Sequence, residues 1–591
     1  MPDNKTSKPW YQQSRLKATQ ALIGIRNELR AENLHDTEDE PLDQGIDPLE
    51  KHPEVFLKRT IDGTYNDTDK PKMGAVGARF GRNFPLEETR PDMANLMNPN
   101  PRDVSRKLMT RGEFQPVPTL NLFAAAWIQF ETHDWFSHGR FDEDPQPIEV
   151  PLAVGDPWPQ HPMKMPRTLP DPQPTAGSTK PPSYRNGVTH WWDGSQLYGS
   201  DAATHARVRT FVDGKIRVQA DGRLPLDPAT GIDLTGFIDN WWTGLSLLHG
   251  LFAQEHNAIC DMLKKKHKDW SDDQLFDRAR MINAALMAKI HTIEWTPGII
   301  SHPIVKTAME TNWHGALGRL QKVFQGLNDS ELWGGIIGSR TDHHTAPFSL
   351  TEDFIAVYRM HPLMPDQFPM HSVETGNPTG VFELPALSGK ASRAALEAHP
   401  MQDWMYSFGR MHAGALRLHN YPKHLQNLKR DDGSLFDLAT VDVIRDRERG
   451  VPRYRKFREL IHMPPISTFE EITSNPVWRE ELREVYQNDI DKVDLMSGLF
   501  AEDLPAGFGF AETSFRVFVL MASRRLKSDR FFTKHWTKEV YTKEGLDWVE
   551  KNGFKSVMLR HYPALKPALE GVDNPFGPWK AVAGDAFGAG A

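Results

Sequence analysis

Apolar residues recur at helical spacing through most of this chain. In residues 11–34, Ala18, Leu22, Ile25 and Leu29 fall four, three and four apart, which predicts a helix with one side docked on the body. Its polar face is mixed in charge rather than basic, which argues against a helix lying on a membrane. Further stretches predict helices over 119–137, 240–266, 273–296, 351–361, 397–418, 476–490 and 512–527. The pattern fails in two places. Residues 35–118 are rich in Pro, Gly and Asp and read as irregular chain wrapped over the body. Residues 142–183 are crowded with proline and read as loop. No strand-period alternation is long enough for a sheet, and there is no internal repeat. The expected architecture is mainly α-helical, a single large domain with long irregular connections. An N-terminal helix and wrapping segment (1–118) precede a body (119–565) and a tail (566–591).

Composition narrows this picture only slightly. With 591 residues, 39% apolar, including 17 Trp and 31 Phe, a large core can be built. The net charge of −8 gives no footprint for a nucleic acid. Cys260 is the only cysteine, so no intrachain disulfide forms, as suits a reducing compartment. No run of 18 apolar residues and no apolar leader is present. The expectation is a cytoplasmic monomer, soluble or at most weakly associated with a membrane surface.

Four segments carry candidate chemistry. In NLFAAAWIQFETHDWFSHG (121–139), Gln129 and His133 lie four apart on one helix face. His133 and His138 do not have the spacing of a zinc pair. In VTHWWDGSQLYGSD (188–201), the oxygen-bearing side chains of Thr189, Asp193 and Ser195 suit a hard cation such as calcium, or equally an ordinary turn with side-chain caps. In SLTEDFIAVYRMHPLMPD (349–366), Thr351 reads as an N-cap. Tyr358 and His361 are three apart on one face, and Pro362 bends or ends the helix at the histidine. That pair fits either core packing or an imidazole on an iron with the phenol beside the same macrocycle. In 437–460, the alternating run Arg445, Asp446, Arg447, Glu448, Arg449 looks like a solvated face, but it ends in Gly450, Val451 and Pro452, which forces a specific turn.

Taken together and in this order, from Gln129 to Tyr454, the segments resemble the animal haem peroxidase superfamily. Its pattern is a distal Gln-x-x-x-His-Asp, a calcium loop Thr-x-aromatic-x-Asp-x-Ser, a proximal His, and Asn-or-Asp-x-x-Arg-x-Arg-x-x-Gly-x-Pro-x-Tyr. More narrowly, HDW, WWDGSQLYG, QEHNAICDML, AKIHTIEWT, RDRERGVPRY and SRRLKSDRFFT make the chain similar to the plant and bacterial fatty-acid α-dioxygenases over residues 15–560.

The resemblance implies roles. His133 becomes the distal histidine, with Gln129 beside it over the haem, and His361 the proximal iron ligand. Asp442 would accept from the other ring nitrogen of His361, and Arg445 would pair with a haem propionate. Asp134, Thr189, Asp193, Ser195 and the Trp191 carbonyl would hold Ca2+. The stretch 239–257 offers Trp and Asn where mammalian peroxidases carry the acidic residues of covalent attachment, so dissociable haem b is implied. Tyr358 would carry a radical that takes hydrogen from carbon 2 of a long-chain fatty acid, to which O2 then adds. His291, Thr296 and Arg525 match the positions that bind the carboxylate, with Arg524 and Arg530 as alternatives in the same run. Pro297 directly follows Thr296 and bears on the turn geometry there. About 14 buried methylenes at roughly 0.8 kcal/mol each would supply about 10 kcal/mol before ordering costs, so an apolar channel is implied. The alternative reading is a peroxidase that uses hydrogen peroxide on small reductants.

Overall fold

The N-terminal helix forms over Arg15–Glu32. Of its expected stripe, Ala18 and Leu29 are buried, and Leu22 and Ile25 pack against the same core half-buried. That core is continuous: one cluster of buried side chains includes Trp10, Phe80 and Phe84 as well as Phe576, Trp579 and Val582. The first and last segments therefore contribute to the same interior as the helices between them. This computed structural model describes residues 8–139, 146–171, 179–316 and 331–583. Parts of the expected 142–183 loop and of the 566–591 tail lie outside the described residues.

Helices Phe123–Trp135, Thr243–Lys266 and Asp272–Ile290 form the centre, and nearly every side chain of the first is buried. A helix apolar all round, as FAAAWIQF is, must sit inside a protein. Ser271 starts the third with a reciprocal capping box to Gln274. Three expectations need correction. The 351–361 helix stops early: Glu352–Val357 is helical, Tyr358 and Met360 leave helical geometry, and His361–Leu363 forms a separate 3-10 turn with Pro362 inside it. Pro362 has no N–H for the Tyr358 carbonyl and its ring would crowd that carbonyl, so an α-helix does not run through 361 and the chain turns before the histidine. The 397–418 helix is Met401–Arg410 followed by a strand, His412–Gly414, paired with Pro116–Asn121. The 273–296 helix widens to a π turn over His291–Trp295 before Thr296–Ile299, where Pro297 sits comfortably in the first turn. Strands do occur, as five two-stranded antiparallel pairs among the described residues. One lies inside the expected loop, Ile148–Val150 against Met163–Met165, and packs a small second core with Trp158 and Ile444.

The charged run after Leu438 is buried rather than solvated. Asp446 accepts from Arg359 at 2.8 Å, Arg447 pairs with Asp494 at 2.7 Å, and Arg449 donates to Thr168 at 3.0 Å. Gly450 closes the run at φ +70°, with a Cβ there driven into the carbonyl of Thr89. Gly450→Ala is expected to cost at least about 2–3 kcal/mol of stability, the left-handed strain and the clash together. Urea unfolding measures it, and a loss under about 0.5 kcal/mol would mean that the turn relaxes freely.

Candidate active site

Most of the chemistry-bearing residues gather in two neighbourhoods, both of which draw on the turn after Val357. In the first, the Trp135 ring is the hub. Its centroid lies 5.2 Å from that of His291 and 5.9 Å from that of Tyr358, edge-on to both. The Arg525 guanidinium carbon stands 4.1 Å above the same ring and 4.7 Å from that of Trp192. Arg525 is 2% exposed, yet none of its three side-chain nitrogens has a hydrogen-bond partner among the described residues. Burial lowers its pKa to about 10, against the pull of Asp134, Glu131, Tyr358 and Asp193. A buried guanidinium with five donors unmet is rare, because leaving even one buried donor unpaired costs about 1–3 kcal/mol.

The neighbouring arginines differ. Arg524 donates to the carbonyls of His343, Ala346, Pro347 and Ser349 at 2.7–3.3 Å. Arg530 donates to the carbonyls of Tyr65, Phe56 and Val55. Of the three, Arg525 alone presents an uncommitted fork.

His291 completes this neighbourhood. Its Nδ1 lies 3.2 Å from the Trp127 indole nitrogen. An indole only donates, so Nδ1 carries the lone pair and the proton sits on Nε2. Burial, then the Arg525 charge, holds the ring well below the ordinary histidine pKa, so it is neutral. Thr296 is buried and donates its hydroxyl to the His291 carbonyl at 2.9 Å. As placed, it braces the π turn, and it reaches another acceptor only by giving up that bond. Burial raises the Tyr358 pKa, so the phenol keeps its proton.

The second neighbourhood surrounds His361. Its Nδ1 lies 2.9 Å from Asp442 Oδ2, which also accepts from the Tyr421 hydroxyl at 2.9 Å, while Arg359 donates to Oδ1 at 2.8 Å. Burial pushes the Asp442 pKa up, but His361 and Arg359 outweigh it and the net shift is downward. A carboxylate facing Nδ1 makes that nitrogen the donor and leaves Nε2, with no hydrogen-bond partner among the described residues, as a lone pair suited to a metal. Arg445 does not join this group. It pairs with Glu448 three residues on.

On the Phe123–Trp135 helix, the amide of Gln129 is engaged by the Trp242 indole at 2.8 Å and the Asn240 carbonyl at 3.0 Å. His133 lies edge-on to Phe237, with Nδ1 buried and unpartnered. Asp134 turns to the 188–201 loop, accepting from the Ser195 hydroxyl at 2.8 Å, while Asp193 pairs with Arg280 at 3.1 Å. Asp134 Oδ2 and Thr189 Oγ1 are buried without partners, and burial and then Asp193 raise the Asp134 pKa. The Trp191 indole donates to the Gly63 and Met73 carbonyls. No group of three His, Cys, Asp or Glu side chains poised on an ion exists among the described residues. Two carboxylates with hydroxyls remain a donor set of the hard-cation type.

Burial places the pKa of His133 at about 3 and those of His190 and His256 at about 4, below the 6.5 of an exposed ring. The unfolded chain then binds more protons below pH 6.5, so stability rises with pH through this window and is lost as pH falls toward 4. Thermal midpoints taken from pH 7 to pH 4 are expected to fall steadily. A flat profile would contradict the neutral burial of these rings.

The animal haem peroxidase profile covers residues 58–571. The chain belongs to the animal haem peroxidase family, in its α-dioxygenase branch. Alpha-dioxygenase PIOX of Oryza sativa subsp. japonica is 38% identical over 547 residues, 90% of this chain and 87% of that protein. The crystal structure of Oryza sativa fatty acid alpha-dioxygenase superposes with a TM-score of 0.90 at 35% identity, covering 97% of this chain and 94% of that one. A tyrosine variant of the rice protein, solved with palmitic acid, superposes equally well. This family member is therefore an oxidoreductase on a single-domain, mainly helical haem peroxidase fold, and no described helix is long and apolar enough to cross a membrane.

Several residues of this peroxidase-family site escaped the motifs. Tyr421 and Arg359 share Asp442 with His361, the Trp135 and Trp192 rings both flank Arg525, and Trp127 sets the His291 tautomer. Arg359, Trp135 and Trp192 had a local signal, each being adjacent to a motif residue. Tyr421 reaches Asp442 from a segment outside the four motifs.

Proposed function

We propose that the chain is a fatty-acid α-dioxygenase that adds O2 to carbon 2 of a long-chain acid through a radical on Tyr358. The product is the 2(R)-hydroperoxy acid, which can lose carbon dioxide and water to leave an aldehyde one carbon shorter. The observation that carries this reading is the uncommitted Arg525 fork, buried against the indole that also touches Tyr358 and His291. A carboxylate is the planar, bidentate anion that such a fork takes. The Nε2 proton of neutral His291 is a further donor for it. Pinning the carboxylate there would bring the adjacent carbon to the phenol oxygen of Tyr358, and a fixed near-attack geometry of this kind supplies much of a rate enhancement.

The residues fit a haem: His361 offers Nε2, with Asp442 behind it. Haem, when bound, supplies the one-electron oxidation of the phenol. His361 would hold it, and the Asp442 carboxylate, steadied by Tyr421 and Arg359, would raise the basicity of the ligand. His133, neutral and buried, would serve as a proton acceptor. Arg445 would reach a propionate by exchanging Glu448 for it. Asp134, Thr189, Asp193, Ser195 and the Trp191 carbonyl would hold Ca2+, which would satisfy the two orphaned oxygens and tie the Phe123–Trp135 helix to the 188–201 loop. Chelation by EGTA is then expected to lower the thermal midpoint by several degrees, reversed by calcium and not by magnesium. An unchanged midpoint would remove the ion from the site.

The deciding experiment is oxygen uptake by haem-loaded protein with palmitate and no added peroxide co-substrate, with products assayed for a hydroperoxide at carbon 2. Peroxide-dependent oxidation of phenols without fatty-acid oxygen uptake would instead select the peroxidase reading.

A further inference from the structure

Behind His133 lies a second buried imidazole. His249, on the Thr243–Lys266 helix, is fully buried, with its ring edge-on to Phe130 and Trp241 at 4.8 Å. Phe130 belongs to the helix that carries His133, and residues 235–237 touch both histidines. The Thr235 hydroxyl lies 2.8 Å from His249 Nδ1, and the Phe237 ring lies 4.8 Å from His133.

Hydrogen-bond counting then assigns the protons. Thr235 Oγ1 is also 3.1 Å from the Gln196 carbonyl. That carbonyl only accepts and the hydroxyl has one proton, so both contacts are hydrogen bonds only if His249 Nδ1 donates to Thr235. His249 Nε2 is then a lone pair, buried and without a protein partner. His133 Nδ1 is likewise buried without one. Buried polar nitrogens are almost always paired, and these two are complementary once His133 Nδ1 carries a proton. Burial keeps both rings neutral, and His133 further disfavours a charge on His249.

We propose that His249 is the positioning residue of His133: its Nε2 accepts the His133 Nδ1 proton through one buried water, and so holds His133 Nε2 as the free base. This rests on the reading of His133 as the proton acceptor. Without His249 the His133 proton has no acceptor at Nδ1, and the ring is free to move it to Nε2, where the base would be lost. The water-mediated bond also lets His133 accept a proton without stranding a charge, because the imidazolium that forms still donates toward His249.

The test reads the tautomer itself. In the full chain without haem, labelled with 15N-histidine and assigned through His133→Asn, the ring of His133 is expected as the Nδ1–H form. His249→Leu is expected to shift it toward Nε2–H, and His249→Gln, whose carbonyl oxygen still accepts, to keep it. With haem bound, cyanide association, which needs a base to take the proton of HCN, is expected to slow about tenfold in His249→Leu, one hydrogen bond's worth, and to recover in His249→Gln. An Nε2–H ring in the unsubstituted protein, or a tautomer unmoved by His249→Leu, would overturn the proposal, and the first needs no variant to fold. Failure to bind haem would instead sink the function proposed above while leaving the tautomer measurement decisive.

Discussion

Tyr358→Phe is expected to cut oxygen uptake on palmitate by at least about a thousandfold, the loss typical of a group that reacts directly with substrate. The substitution removes one oxygen and leaves the ring that packs on Phe354 at 4.4 Å and on Trp135. Stability and the haem absorption band should therefore stay within the small range of an isosteric change, about 1 kcal/mol or less. Peroxide-driven oxidation of small phenols should persist, because it does not use the phenol at 358. Retention of more than about a tenth of the uptake would show that the radical resides elsewhere.

Arg525→Leu separates binding from folding. Breaking a desolvated ion pair costs about 2–5 kcal/mol, so kcat/KM for the free acid is expected to fall by roughly 30- to 5,000-fold. Its thermal midpoint without substrate should hold or rise, since the guanidinium is buried with no protein acceptor and leucine relieves that desolvation. Preference for the free acid over its methyl ester, which carries no charge, should vanish in the variant. If stability and activity fell together while that preference survived, Arg525 would be a packing residue and the carboxylate would bind elsewhere. The same measurement on Arg524→Leu is expected to show the reverse, a folding defect, because four loop carbonyls would lose their donor.

Interactions within a turn or two of helix were legible in the chain. The shared helix face of Gln129 and His133 and the N-cap at Thr351 are set by neighbours in sequence. His361 with Asp442 was legible only through the family resemblance, since 81 residues separate them. The helix ends were less so. Tyr358 leaves the helix early, and 412–414 forms a strand, because pairing with Pro116–Asn121 replaces helical bonds with partners that no local pattern announces.

The sequence by itself determined the helical class, the order of the four motifs and the three-residue spacing of Tyr358 and His361, since these depend on short-range pattern. Only the tertiary structure decided which arginine is free. Arg524, Arg525 and Arg530 look alike in SRRLKSDR, and what distinguishes them are carbonyls at 343–349 and 55–65 that fill two of the three forks. The partners of a buried charge come from whichever segments fold against it, and that information is spread over the whole chain.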